Sequence, residues 1–140
     1  MKALIQKYLD IRILSLLSIL ILFLPFVNIL VTETITESIG EKYSNSFIYK
    51  SLTGFELLKE ALRTNEDLFA ATLLLFFIII VLQFLLSLFK KSRIILILSI
   101  ILILMILGFC ILMKSVDSSS TILIGCYLFG INQLVIYYRT

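Results

Sequence analysis

Four stretches of this chain, 13–32, 68–89, 94–113 and 118–138, contain no Asp, Glu, Lys or Arg, and the sequence has no His. Each is close to the roughly 20 residues that an α-helix needs to cross about 30 Å of hydrocarbon. They are continuous apolar runs, such as Leu73-Leu74-Leu75-Phe76-Phe77-Ile78-Ile79-Ile80-Val81-Leu82, without the alternation of a membrane β-barrel strand. Backbone groups surrounded by lipid must bond within their own segment, so the runs are predicted to be helices. Composition agrees: 61% of the residues are hydrophobic and 15% charged, against about half and about a quarter in soluble domains. The expected fold is an all-α membrane protein, a four-transmembrane-helix bundle forming one domain over 1–140. Its spans fall at about 13–31, 68–89, 94–113 and 121–138, and an extracytoplasmic loop at 32–67.

Charge sets the expected threading. With the N-terminus inside, the inner face carries Lys2, Lys7, Arg12, Lys90, Lys91, Arg93 and Arg139 against the single acid Asp10. The outer face carries Lys42, Lys50, Lys59, Arg63 and Lys114 against the remaining acids, so the small net charge of +3 hides a basic inside and an acidic outside. In the short loops, Lys90-Lys91-Ser92-Arg93 outweighs Lys114, which predicts both termini in the cytoplasm. The basic residues therefore read as a topology signal, and no nucleic-acid partner is expected. Trp is absent, so Tyr serves the interfacial belts: Tyr8, Tyr137 and Tyr138 at the inner edge, Tyr43 and Tyr49 outside.

Leu4, Ile5, Tyr8 and Leu9 recur at helical spacing, so residues 1–11 read as an amphipathic helix or as a helical extension of the first span. That span has a longer apolar run than a signal core and no A-x-A-like site after it, so it is expected to be retained. Pro25 lacks an amide proton and clashes with the carbonyl four residues back, which predicts a kink near Ile21.

The polar loop has two halves. In Thr32-Glu33-Thr34-Ile35-Thr36-Glu37-Ser38, β-branched and polar residues alternate. A Gly40-Glu41 turn and Lys42-Tyr43-Ser44-Asn45-Ser46-Phe47-Ile48-Tyr49 follow, which together read as a β-hairpin. In the second half, Thr53-Gly54-Phe55-Glu56 has the form of a capping box. A short amphipathic helix over 55–63 should follow, lying across the outer bundle ends. Phe55, Leu58 and Leu62 form its apolar face, widened by Leu57 and Ala61. Thr64-Asn65-Glu66-Asp67 would cap the second span. The short connection 114–120 makes the third and fourth spans antiparallel neighbours. The fourth pairs Thr121 with Gly125 and Cys126 with Gly130 one turn apart, small residues that allow close helix approach, and is expected inside the bundle.

Ser18, Gln83, Ser99 and Gln133 all fall about 18–23 Å below the outer interface at 1.5 Å per residue, and Asn132 adjoins them. This uncharged polar layer reads either as interhelical hydrogen bonding or as a binding or conduction site. No ionisable group of the kind that marks proton-coupled transport lies in the spans. Cys110 and Cys126 fall at similar depths on neighbouring helices, as two small packing residues or as a disulfide where the outer side is oxidising.

Leu24-Pro25-Phe26 at the end of the first span and Thr53-Gly54-Phe55-Glu56-Leu57 in the outer loop resemble small bacterial four-span membrane proteins of unassigned function, over about the first half of the chain. The layout is also similar to that of claudins, with a large first outer loop, a helix before the second span and a short second loop. Trp and loop cysteines of the claudin signature are missing, so the likeness is architectural and carries no function. The embedded Glu of small multidrug exporters and the CxxC of disulfide-generating enzymes are missing as well.

Three function classes remain. The first is a non-enzymatic integral membrane protein acting through protein contacts, an accessory or regulatory subunit in the cell (inner) membrane. Lipids and a membrane-protein partner or a second copy would be its partners, with Phe55, Leu58 and Leu62 as candidate contact residues. The second is a small oligomeric channel or transporter lined by Gln83, Ser99, Asn132 and Gln133. The third, a lipid-active enzyme, is disfavoured: without His there is no Ser-His pair and no His metal site, leaving only Glu33, Glu37 and Glu41. No catalytic residue, cofactor or metal ligand is expected.

Overall fold

The computed structural model describes residues 2–36, 43–63, 67–116 and 121–140. Among them are five helices and three strands: α1 (Lys2–Ile21), β1 (Pro25–Thr36), β2 (Tyr43–Thr53), α2 (Gly54–Arg63), α3 (Asp67–Leu88), α4 (Ser92–Val116), β3 (Thr121–Ile122) and α5 (Ile124–Arg139). Two of the helices, α3 and α4, are long and apolar enough to cross a membrane. Their bounds differ from the predicted second and third spans by at most three residues.

The four long helices form an up-down-up-down bundle in which α1 packs on α3, α3 on α4, α4 on α5, and α5 on α1. Each presents one stripe to the axis at helical spacing: Ile11, Ser15, Ser18 and Ile21 on α1, Leu73, Phe76, Ile80 and Gln83 on α3, Leu98, Leu102 and Ile106 on α4, Phe129, Gln133 and Ile136 on α5. The other faces are exposed and apolar, from Leu75 and Ile78 through Leu104, Leu107 and Ile111 to Ile131 and Leu134. Water-soluble proteins rarely expose apolar patches beyond a few hundred Å². Here apolar side chains cover the outside as well as most of the interior, while Ser15, Ser18, Gln83, Ser87, Ser99, Asn132 and Gln133 are buried inside.

The first predicted span needs correction. The helix does not kink at Pro25; it ends at Ile21, and Pro25 opens β1. Amides of Leu22, Phe23 and Leu24 close the end with bonds to Ile19, Leu20 and Ile21 carbonyls at 2.9–3.2 Å. Pro25 disfavours a helical Leu24 and offers no donor. Beyond it, Val27, Ile29, Val31 and Thr32 are β-branched, which suits a strand better than a helix. The predicted hairpin is present but begins earlier, with Val27 opposite Leu52 and Thr36 opposite Tyr43. Its Gly40-Glu41 turn lies outside the described residues.

A bulge between Pro25 and Val27 lets consecutive residues Phe26 and Val27 both bury. The other edge of β1 pairs Val27 and Asn28 with β3, giving the order β2-β1-β3. The predicted fourth span is thus shortened: residues 121–122 are a strand and the helix starts at Ile124. The Leu123 amide donates to the Phe26 carbonyl at 2.8 Å, which fixes this start to the sheet. Nor does α5 sit inside the bundle. It occupies a corner, with Tyr127, Ile131, Leu134 and Tyr138 exposed.

The capping box forms as read: the Glu56 amide donates to Thr53 Oγ1 at 3.3 Å and the Thr53 amide donates to Glu56 Oε2 at 2.8 Å. That backbone bond is the main reason the Glu56 carboxyl titrates below its ordinary 4.5, with Lys50 and Lys59 adding a smaller pull. A depressed folded pKa means that the contribution is complete above the unfolded value and is lost as pH falls through the folded one. The protection of α2 amides, relative to their intrinsic exchange rates, should therefore fall on acidification through the carboxylate range. Glu56→Gln should remove that pH dependence; an unchanged profile would count against the cap as its source.

Instead of lying across the bundle end, α2 runs back along the N-terminal half of α3. Phe55 at its start meets Phe77, halfway down α3, with ring centroids 5.1 Å apart, and its last residues precede Asp67 closely in sequence. Its buried side chains are Leu57 and Ala61, with Leu58 half-buried, while Phe55 and Leu62 stay 37% and 52% exposed. The buried stripe of Leu57 and Ala61 is therefore rotated from the predicted face, and Gly54 at the start of α2 sits against Leu22. A Cβ at Gly54 would lie 3.1–3.4 Å from Leu22 atoms.

Candidate functional site

The polar side chains of the bundle interior meet in one cluster with contributions from all four long helices. Gln83 Nε2 on α3 donates to Ser99 Oγ on α4 at 2.8 Å and to Gln133 Oε1 on α5 at 3.0 Å. Gln133 Nε2 returns a bond to Gln83 Oε1 at 3.2 Å and donates to Ser18 Oγ on α1 at 2.9 Å. Asn132 Nδ2 donates to the same Ser18 Oγ at 2.7 Å and to the Leu14 carbonyl at 2.8 Å. Ser18 and Ser99 donate their own protons to Leu14 and Ile95 carbonyls one turn earlier.

The network is thus a reciprocal glutamine pair flanked by two serines and an asparagine. All amide protons of Gln83, Gln133 and Asn132 have acceptors. Ser18, Gln83, Ser99 and Gln133 are 0% exposed. The cluster contains no charge and no nucleophile beside a base, so it has no means of general acid–base or covalent chemistry. Its physical effect is registry: six directional bonds tie α1, α3, α4 and α5 at a single level.

All five residues predicted as a polar layer stand in this cluster. Sequence reading missed the buried Ser15 and Ser87 on the same stripes; Ser15 Oγ is the one buried side-chain polar atom without a partner among the described residues. Helical spacing from Ser18 and Gln83 was the signal that could have found them. Cys110 and Cys126 lie with sulfurs 3.5 Å apart, both as thiols, on the antiparallel neighbours α4 and α5. Of the loop carboxylates, Glu37 and Glu41 lie outside the described residues, and no group of three His, Cys, Asp or Glu converges among the rest.

One end of the bundle is basic. Arg12 donates from Nε to the Ser87 carbonyl at 3.3 Å and from Nη2 to the Leu88 carbonyl at 3.1 Å, so a cation closes the negative end of α3. Lys7 Nζ donates to the Thr140 carbonyl, Arg139 pairs with Asp10 at 3.1 Å, and Lys90 sits 5.6 Å over the Tyr8 ring. Both chain ends and the α3–α4 turn therefore share this end.

At the opposite end, Phe26, Phe76 and Phe129 pack together with centroids 5.1–6.2 Å apart. Beside them α3 and α4 diverge and leave a groove of about 600 Å³, walled by apolar side chains and by Leu57 of α2. Nothing in the sequence pattern marked this groove, since a void arises from how elements diverge. Comparison of the chain with protein-family models, with curated proteins and with solved structures gives no match.

Proposed function

We propose that this chain is a multi-pass protein of the cell (inner) membrane that crosses the bilayer four times, through α1, α3, α4 and α5, with both termini in the cytoplasm. It works without enzymatic chemistry, as an accessory or regulatory subunit that contacts another membrane protein through its outer face. The observation that carries this reading is the exposed apolar surface of the bundle, with uncharged amides and hydroxyls buried inside.

Two features of α1 and α5 fit four crossings. Where α1 stops, the chain continues as the paired base of the sheet, with Leu22, Phe26, Val27 and Leu52 buried in protein. Non-helical backbone is tolerated at membrane depth in that setting. The end with both termini is also the basic end, as expected for a cytoplasmic face. The polar cluster supports a clasp between helices more than a path through them, because its amide protons already have acceptors and its side chains are buried. Phe55 and Leu62 are the exposed apolar residues on α2, next to the acidic outer loop, and are the proposed partner contacts, with Leu58 behind them.

With Cys110 and Cys126 replaced by Ser, a Ser51→Cys variant in intact cells should react with a membrane-impermeant maleimide, whereas a cysteine appended after Thr140 should react only after lysis. The opposite pattern would reverse the threading. A photo-crosslinking residue at Leu62 should give one discrete adduct with a membrane protein. Adducts with lipid alone would sink the accessory role.

A further inference from the structure

The groove between α3 and α4 does not take part in the polar clasp or in the exposed α2 face. Along α3 its wall runs from Asp67 to Phe77, about 15 Å at 1.5 Å per residue. That is half of a hydrocarbon core of about 30 Å, the depth of one leaflet. Phe26 of β1 and Leu57 of α2 line it together with Gly108 and Leu112 of α4. Below this level the helices close on each other, with Ile80 and Leu102 fully buried. The groove therefore ends about halfway along α3. Its size lies within the roughly 300–1,000 Å³ typical of small-molecule sites, which are mostly apolar with a few polar groups.

A transmembrane helix of a partner is a poor occupant. It is about 10–12 Å wide and would need a trough along the whole bundle. A hydrocarbon chain entering from one leaflet needs a slot that ends at mid-depth. At the mouth stands Asp67, whose carboxylate has no cationic partner among the described residues.

Building on the membrane reading above, we propose that this groove binds one acyl chain of an outer-leaflet phospholipid, with an ammonium-bearing head group against Asp67. Gly108 makes the site testable, because a Cβ there meets nothing within 4 Å. A side chain added at that position stands on the lining of the groove and displaces no atom of the fold at Cβ. Gly130 on α5 is equally open and does not line the groove, which makes it the matched control.

The experiment is native mass spectrometry of the full chain released from nanodiscs of equal phosphatidylethanolamine and phosphatidylglycerol, with melting temperature recorded for each variant. The parent should retain one phosphatidylethanolamine. Gly108→Leu should lower that retention at least tenfold, Gly108→Ala less, and Gly130→Leu should match the parent. Asp67→Asn should equalise the two lipids. Equal retention by the parent and a folded Gly108→Leu overturns the proposal, as does a second protein chain held in place of lipid. An inserted parent that keeps no lipid sinks the groove site alone. A parent that fails to enter nanodiscs sinks the membrane reading and this proposal together.

Discussion

Gly125→Ala should destabilise the protein out of proportion to the single methyl that it adds. The Cβ would lie 2.6 Å from the Pro25 carbonyl oxygen, 2.9 Å from Phe26 Cδ2 and 3.1 Å from the Leu24 carbonyl oxygen. Two of these atoms are backbone, in a turn stiffened by proline, so no rotamer change relieves the contact. The start of α5 must retreat, which strains the 2.8 Å bond from the Leu123 amide to Phe26 and the pairing of β3 with β1. Forced overpacking of this kind costs typically about 1–3 kcal/mol. Gly108→Ala and Gly130→Ala put the same methyl into open space inside helices and should leave stability unchanged or raise it by up to about 1 kcal/mol. Melting temperatures of the three variants in one detergent give the comparison. Equal melting for Gly125→Ala and the controls would mean that α5 does not sit against the Pro25 turn.

The second large effect is expected at the glutamine pair. Gln83→Met keeps the length of the side chain but deletes its bonds to Ser99 and both bonds with Gln133. The remaining Gln133 is left partly unpaired in a dry core, and an unsatisfied buried group costs about 1–3 kcal/mol. In membrane proteins the unfolded reference also finds partners, so each interhelical bond is worth about 0.6 kcal/mol on average. Three lost bonds then come to about 2 kcal/mol by the same scale. The informative variant is the double one. Gln83→Met with Gln133→Met removes both partners, so it should cost less than the sum of the singles, by a coupling within the range of about 0.5–3 kcal/mol. Ser18 still accepts from Asn132 in that variant, which keeps α1 tied to α5. Strict additivity in unfolding titrations would show that the two amides do not act as a unit.

The legibility of this fold in the sequence was uneven, for reasons that particular residues make plain. Residues 68–89 and 94–113 were readable because an uninterrupted apolar run leaves the backbone no option but a helix, and both helices appear. Thr53 and Glu56 were readable because a capping box is local, two bonds between residues three apart. The segment 25–31 was misread because its hydropathy equals that of a span. Hydropathy measures how apolar a segment is but not which backbone it adopts, and Pro25 followed by β-branched residues decided that. Thr121 and Ile122 became a strand only because β1 offers them an open edge. On α2 the spacing of apolar residues was correct, yet the choice of Leu57 and Ala61 over Phe55 and Leu62 depends on the wall available.

By itself, the sequence determined that α3 and α4 are helices with lipid-compatible surfaces, that charge separates a basic from an acidic end, and that the interior can hold polar groups without charge. These are properties of composition and local spacing, and no distant contact can reverse them. Tertiary structure alone decided that Ser18, Gln83, Ser99, Asn132 and Gln133 share hydrogen bonds, that Gly125 must lack a side chain, and that α3 and α4 part to leave a slot. Each of these depends on the distance between elements far apart in the chain. Helical periodicity fixes the direction in which a side chain points, while only packing fixes what stands opposite.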